Sequence, residues 1–555
     1  MPGGLLNIVA YGNQNVILNG NPSKTFFKAV YAKYTNFGMQ KFRVDFNGQR
    51  NLRLSEESKF TFKMPRYAEL LMDSYLVVNL PNIWSPIYPP QYEYEDWKPY
   101  EFKWIKNLGA LMIKKVTISV GGATLQEYTG EYLYNLVERD FSESKKKIFN
   151  EMTGNVPELY SPGNSGARVN QYPNSYYNTS ENGSEPSIRG RKLYIPINPW
   201  FSHSSKMAFP MVSMQYNELF IEVTLRPIKE LFLIRDVNNE DEENRETYVQ
   251  PNFNEDFHQM YRFLQVPPNV DLVSYQNKDV ASLWNADVHL ISTYCFLSAE
   301  ESKVFALNEQ KYLIKDIHEY IYYNVVGTKR LEINTMGMVS NWMWYLKRSD
   351  AELRNEWTNY SNWPYDYLPY EINEAPVDGT NDMGVYFDGD ASYGPGINPS
   401  DGTQSGLFIT GDFQVGNQKE ILNRMAILFD GKYREGELDS GIYKYIEKYS
   451  KSEGGYCDGV YYYNFCLETA PNLIQPSGAV NLSKFKKIEL ELSTFIPPLD
   501  PNAEALNICS EDGSFAGSNK NSWNIYEYTY TLYLFEERYN ILHFSSGNVS
   551  LVYAR

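Results

Sequence analysis

Apolar and polar residues alternate along much of this chain. Val116, Ile118 and Val120 alternate with Thr117 and Ser119, and Gly121-Gly122 then offers a tight turn into Ala123-Thr124-Leu125. Leu219, Ile221, Val223 and Leu225 alternate with Phe220, Glu222, Thr224 and Arg226. Ile488, Leu490 and Leu492 alternate with Glu489, Glu491 and Ser493, and residues 75–80 and 529–535 read as further strands. A period of two places one face of a strand against a core and the other in water, the pattern of antiparallel sandwiches. Helical periodicity is confined to residues 24–36, 130–139 and 298–307. In the first of these, Phe26, Phe27, Val30, Tyr31 and Tyr34 share a face among Lys24, Lys28 and Lys33. Ser23 stands after Pro22 as a cap, so a short amphipathic helix is predicted there. Many strands and few helices point to an all-β sandwich or jelly roll.

The chain has 555 residues, too many for one core and enough for two large sandwiches. Two segments follow the same plan. An apolar strand at 193–197, a loop with Pro and Ser, and Gln215-Tyr216-Asn217-Glu218 lead into the alternating strand at 219–225. An apolar strand at 461–467, then Gln475-Pro476-Ser477-Gly478 and Leu482-Ser483-Lys484-Phe485, lead into the strand at 488–492. The recurrence suggests two copies of one domain. Residues 154–190 and 373–418 form long Gly/Pro/Asn/Ser-rich loops. The aromatic run 357–370 is expected to pack rather than float, and the acidic run 240–246 is expected to face water.

Composition sharpens this picture. There are 47 Tyr, 29 Phe and 10 Trp, residues that favour strands and protein contact surfaces. Net charge is −17, which argues against a sheath laid directly on nucleic acid. The charge is uneven: residues 1–66 carry ten basic and three acidic side chains, +7, which leaves −24 for the rest. Cys295, Cys457, Cys466 and Cys509 form no CxxC pair and no zinc spacing, so reduced thiols are expected. No run of 18 apolar residues and no signal-peptide pattern is present.

Several ordered blocks carry a family resemblance. They are the arm and aromatic segment 3–37, ISVGGATLQEYTGEYLYNLVE (118–138), LYIPINPWFSHSSKMAFPMVSMQYNELFIEVTL (193–225), residues 287–324, QPSGAVNLSKF (475–485) and NILHFSSGNVSLVYA (540–554). Together they resemble the double jelly-roll major capsid proteins of nucleocytoplasmic large DNA viruses, particularly the mimivirus-like branch. The resemblance implies two tandem eight-stranded antiparallel jelly rolls, with an N-terminal arm at 1–24, a first barrel at 25–265 and a second at 266–555. In it, residues 287–324 correspond to the opening strand and helix of the second domain. It implies a structural protein of the virion shell, assembled in host cytoplasm as a homotrimer with near-sixfold shape that meets neighbouring capsomers, minor capsid proteins and a penton protein. Loops 154–190 and 373–418 would form outward towers. The basic N-terminal segment would lie inward, near an internal viral membrane, with no direct nucleic-acid binding.

Catalytic chemistry is not evident. The five histidines (His203, His258, His289, His318, His543) make no HExxH or close pair, and no GxSxG elbow, Walker A loop or GxGxxG fingerprint occurs. Asp388, Asp390 and Ser392 only superficially match a calcium loop, because the required Gly and Glu are missing. No enzyme activity, no metal and no cofactor are expected. Sequons stand at Asn178, Asn182, Asn359, Asn481 and Asn548. Asn178 and Asn182, in a polar loop, are the candidate glycosylation sites. Two other readings remain at this stage: a carbohydrate-binding or glycan-processing β-sandwich protein with aromatic sugar platforms, and a penton or minor capsid component.

Overall fold

A computed structural model describes residues 3–9, 12–13, 15–48, 51–85, 87–88, 98–178, 183–235, 248–255, 258–265, 283–366, 385–387, 408–410, 418–498, 506–509, 515–519 and 526–553. The alternating runs fold as strands because alternation leaves one face apolar. Residues 219–225 bury every second side chain, and Ile221, Val223 and Leu225 are fully enclosed.

The first barrel uses β1 (Phe37–Val44), β2 (Ser58–Lys63), β3 (Leu70–Asn79), β4 (Ile113–Val120), β5 (Ala123–Thr129), β6 (Lys192–Pro196), β7 (Leu219–Leu225) and β8 (His289–Leu297). They form two antiparallel sheets, ordered β1-β8-β3-β6 and β2-β7-β4-β5. The second barrel uses β9 (Gln310–Val325), β10 (Thr328–Glu332), β11 (Met338–Arg348), β12 (Leu422–Phe429), β13 (Lys432–Asp439), β14 (Val460–Asn464), β15 (Ile488–Thr494) and β16 (Tyr530–Ser545). Its sheets run β9-β16-β11-β14 and β10-β15-β12-β13. Adding eight to each label of the first barrel yields the second, so the chain is two tandem eight-stranded jelly rolls.

The likeness reaches fine detail. The short strand Phe209–Pro210 pairs with the start of β3, and Val480–Asn481 pairs with the start of β11. Each is followed by a 3-10 turn, at Met211–Ser213 and Leu482–Lys484. The β3–β8 and β11–β16 ladders carry register shifts at matching places, between Ser292 and Tyr294 and between Val339 and Asn341. The repeated strand–loop–strand plan seen in the sequence is β6 to β7 and β14 to β15.

Two expectations are corrected. Residues 24–36 are not helical, and Phe26 and Phe27 are 95% and 97% exposed. A helix this short is marginal without a surface to pack on, and aromatic and β-branched residues are poor helix formers. The arm before it instead holds two short helices, α1 (Gly3–Val9) and α2 (Asn15–Asn19). Second, residues 289–297 do not open the second barrel. β8 lies between β1 and β3, closing the first sheet, because Phe37 to Val44 register with Leu297 to Leu290. We therefore propose that the domain division, set at 265/266 from the sequence, falls after β8. The connecting helix α5 (Ala299–Leu307) then bridges the barrels, capped by Ser298, whose hydroxyl accepts from the Glu301 amide.

Register fixes which end each loop leaves. Phe37 pairs with Leu297 and Gln310 with Phe544, so the arm, α5 and the chain's last strand share one end. Asn79 pairs with Lys192 and His289 with Val77, so the long connections after β3, β5 and β7 leave the other end. There they pack together: Ile83 bridges Ile188, Tyr172 donates to the Phe102 carbonyl at 2.9 Å, and Trp357 Nε1 donates to the Glu230 carbonyl at 3.0 Å. The run 357–370 is thus packed as expected where it is described, through residue 366. The runs 240–246 and Asp388 to Ser392 lie outside the described residues, as does nearly all of 373–418.

After β5 the chain enters α3 (Gly130–Asp140), followed by α4 (Glu143–Thr153); the cap of α3 is the Thr129 hydroxyl accepting from the Tyr132 amide at 3.2 Å. Gly130 lets this helix start against the preceding backbone. A Cβ there would lie 2.1 Å from the carbonyl oxygens of both Ala110 and Ile113. Gly436 in β13 has open space around it. Gly130→Ala is expected to destabilise the protein by roughly 1–3 kcal/mol through overpacking, and Gly436→Ala to leave it unchanged, as read from urea unfolding midpoints.

Candidate assembly site

Among the described residues, no group of three His, Cys, Asp or Glu side chains is placed to hold a metal ion. The histidines are dispersed. Burial holds His203 down at about 4, His289 Nδ1 lies 2.6 Å from the Asp287 carbonyl, and His543 Nε2 lies 3.1 Å from Glu309. Cys295, Cys457 and Cys466 are free thiols. Asn182 and the side chain of Asn178 lie outside the described residues. The other sequons are engaged: Asn359 is buried and donates to the Trp363 carbonyl at 2.9 Å, Asn481 Oδ1 accepts from the Ser483 amide, and Asn548 Oδ1 accepts from Asn217.

The chemistry gathers instead between the barrels. α3 grows from the first barrel and lies across the outer face of the β9-β16-β11-β14 sheet. Asn341, Met343, Tyr345 and Lys347 of β11 and Phe535 and Glu537 of β16 face it, while Trp342, Trp344, Leu532 and Leu534 point into the second core. At one end of α3, Arg139 is 1% exposed and donates to Glu537 at 2.5 Å, to Asn341 Oδ1 at 3.0 Å and to Asp140 at 2.8 Å. Tyr132 donates to the same Glu537 at 2.8 Å, and Lys315 approaches it at 3.3 Å. At the other end, Glu131 accepts from Lys347 at 3.0 Å, from Arg226 at 3.3 Å and from the Tyr345 hydroxyl. Arg226 lies over the Trp357 ring at 3.7 Å, and Asn135 donates to Tyr360 at 3.1 Å. Phe535, Met343 and Tyr345 fill the space between these polar groups, so the first core runs unbroken into the seam.

Electrostatics agree with the geometry. Burial alone raises the Glu537 carboxyl, but Arg139 and Lys315 outweigh it and hold it well below the usual carboxylate range. Glu131 is likewise burdened by burial yet held below its ordinary 4.5 by Lys347 and Arg226. Both pairs are desolvated, so each charge depends on its partner.

Apart from Trp357 and Tyr360, which belong to the aromatic run expected to pack, none of these seam residues was singled out in the sequence. Their partners lie up to 405 positions apart, beyond the reach of periodicity. One local signal existed: Thr129-Gly130-Glu131-Tyr132-Leu133-Tyr134 after β5 is echoed by Ser440-Gly441-Ile442-Tyr443-Lys444-Tyr445 after β13.

Two family profiles meet this architecture in order. "Major capsid protein N-terminus" matches residues 25–255, and "Large eukaryotic DNA virus major capsid protein" matches residues 301–550. The chain belongs to the major capsid protein family of large eukaryotic DNA viruses. It is a structural protein of the virion shell. It is 23% identical over 541 residues to the major capsid protein of Phaeocystis pouchetii virus, covering 89% of this chain and 93% of that one. It is 27% identical over 319 residues to capsid protein 1 of Acanthamoeba polyphaga mimivirus, covering 57% of this chain but 44% of that longer protein. The fold superposes on the Faustovirus major capsid protein with a TM-score of 0.59 at 12% identity, covering 96% of this chain and 94% of that one. On the Paramecium bursaria Chlorella virus 1 capsid protein the TM-score is 0.56 at 17% identity, covering 96% and 100%. A carbohydrate-binding sandwich finds no support in these matches.

For this capsid protein the seam has a definite pH response. Glu537 and Glu131 release their protons more readily folded than unfolded, so their stabilisation is whole above the ordinary 4.5 and is lost as pH falls below it. The thermal midpoint is expected to fall on acidification through that range. Glu537→Gln should cost roughly 3 kcal/mol at neutral pH, because Arg139 loses a buried counter-charge, and should flatten the acid limb of the midpoint-against-pH curve. A variant with an unchanged midpoint and slope would contradict this account.

Proposed function

We propose that the protein trimerises into pseudo-hexameric capsomers that tile an icosahedral shell, and that it has no enzymatic role. The observation that carries this reading is the strand order repeated within one chain. Two like barrels per chain make six per trimer, so a threefold object offers nearly sixfold edges to a hexagonal lattice. Modest contacts between such units add by multivalency.

The two ends of the molecule support an orientation. The long connections gather at one end and the N-terminal arm at the other. We assign the loop end, with 154–190 and 373–418, to the outside, and the arm to the inside, toward minor capsid proteins, the penton protein and an internal membrane. Residues 1–36 carry Lys24, Lys28 and Lys33 and no acidic side chain. Each lysine near an anionic leaflet contributes about 1 kcal/mol at low salt.

Native mass measurement of the purified protein is expected to give a stable species of three chains; a clean monomer at micromolar concentration would overturn the reading. In sedimentation with phosphatidylserine vesicles, the full chain is expected to bind in a salt-sensitive way. A chain lacking residues 1–36 should keep its thermal midpoint and lose that binding. Retained binding by the truncated chain would move the inner surface elsewhere.

A further inference from the structure

The seam inside one chain is half of a repeated arrangement. In the first barrel α3 follows β5 and covers the outer face of the second barrel's β9-β16-β11-β14 sheet. In the second barrel a helix follows β13 at the corresponding place, as a π turn over Ile442–Ile446 that continues into α6 (Glu447–Lys451). Its buried side is held by its own barrel: Tyr443 is fully enclosed in the second core and donates to the Met425 carbonyl at 3.1 Å, where its sequence counterpart Tyr132 turns to the seam. Its other side has no barrel against it in the chain. Ile446 and Tyr449 are 58% and 93% exposed, and Tyr445 stands beside them, its ring 5.5 Å from that of Tyr456.

A receiving face exists as well. The β1-β8-β3-β6 sheet is the topological twin of the sheet that α3 covers, and the ladders align the two residue by residue. Ser74 opposite Ser292 corresponds to Trp342 opposite Glu536: Ser74 leads to the inward Leu76 and Val78 as Trp342 leads to the inward Trp344 and Leu346, and both pairs lie on the same side of the shared register shift. Counting outward from these pairs, Asp73 stands where Asn341 stands, Thr293 where Glu537 stands, and Asn79 where Lys347 stands. Asn341, Glu537 and Lys347 are the groups that α3 engages through Arg139, Tyr132 and Glu131. Asp73 Oδ1, Thr293 Oγ1 and Asn79 Oδ1 are buried and have no hydrogen-bond partner among the described residues; the other Asp73 oxygen accepts from Tyr75 at 3.1 Å. Unpartnered buried oxygens are costly, and here they sit at the positions that a docked helix satisfies on the twin.

We propose that the helix Ile442–Lys451 of one copy docks on the outer face of the β1-β8-β3-β6 sheet of a second copy, with Ile446 and Tyr449 covering that face. The charges are complementary. A π turn inserts one residue relative to α-helix, so Lys451, not Ser450, falls where Arg139 lies in α3. It brings a cation to Asp73, as Arg139 brings one to Glu537. The contact is head to tail: first barrel to second within a chain, second to first between chains. Such an interface closes into a ring when the rotation is suitable. The inference rests on the trimer reading above and names the surfaces that make it.

Charge reversal tests the pair in the full chain. By sedimentation velocity, Lys451→Glu and Asp73→Lys are each expected to raise the trimer dissociation midpoint at least about tenfold, a rim-to-core charge effect, and the double variant to return it to within about threefold. Should either single variant fold poorly, a photo-crosslinking amino acid in place of Tyr449 gives an independent reading. Mixed with isotope-labelled copies, it should capture peptides from residues 67–79 or 289–297 of another chain. Crosslinks elsewhere, or single variants that remain trimeric at wild-type concentrations, overturn the docking and leave the trimer standing. A wild-type protein that is monomeric removes both.

Discussion

The arrangement of the whole molecule depends on one dry contact: the polar side of α3 pressed on the outer face of the second barrel. Arg139, Glu537, Glu131 and Lys347 are all nearly inaccessible to water. Removing such charges from water is expensive, and the attraction between them offsets that cost only when the geometry is good. Here each charge has more than one partner, and the neutral donors Tyr132, Tyr345 and Asn341 occupy the remaining positions. A purely apolar seam would hold the barrels together as firmly but would tolerate sliding. The two ion clusters, one at each end of an 11-residue helix, fix both the rotation and the offset of one barrel against the other. In the proposed capsomer, where the two barrels of a chain stand as neighbouring corners, that fixed relation matters more than the stability gained.

The repeat explains why so few kinds of surface are needed. Strand order, the short pairing segment, the following 3-10 turn and the register shift all recur. A shift kept in both copies disturbs the two ladders at matching places. What differs is the chemistry at matched positions. The second barrel has Asn341 and Glu537, satisfied within the chain, where the first has Asp73 and Thr293. The same backbone plan thus serves a contact completed during folding and a face left incomplete until another surface arrives.

Much of the architecture was legible in the chain because half-buried strands write their burial as alternation. Residues 219–225 and 488–494 are examples, and the plan linking 193–197 to 219–225 and 461–467 to 488–492 proved to be the same strand pair in two barrels. The helix at 130–140 and that at 299–307 were also readable, since each has a Ser/Thr cap. Two things were not. Residues 24–36 have a helical apolar stripe, but periodicity reports only what a helix could bury, and among the described residues nothing offers that stripe a surface. The strand at 289–297 was assigned forward to the second barrel, because its partners β1 and β3 precede it by more than two hundred residues and local pattern carries no pairing information. The seam was hidden for the same reason. Glu131 and Arg139 look like ordinary helix charges until β11 and β16 are brought beside them.

The arm poses the opposite problem from the seam. From Phe26 to Met39 seven large apolar side chains stand more than half exposed, next to an edge strand whose outer backbone is unpaired. An extended, apolar, edge-linked segment is what folded proteins ordinarily conceal, because it invites uncontrolled pairing. Here it is kept apart by position: it leaves the end of the barrels opposite the packed loops, and its lysines add charge between the aromatic side chains. Charge interleaved with apolar residues slows self-association in solution while leaving the apolar surface available. The two devices divide the work by strength. The seam, fully desolvated and multiply bonded, sets the relation of the two barrels, while the arm, with its large apolar side chains exposed, is what the proposed function leaves for a further surface.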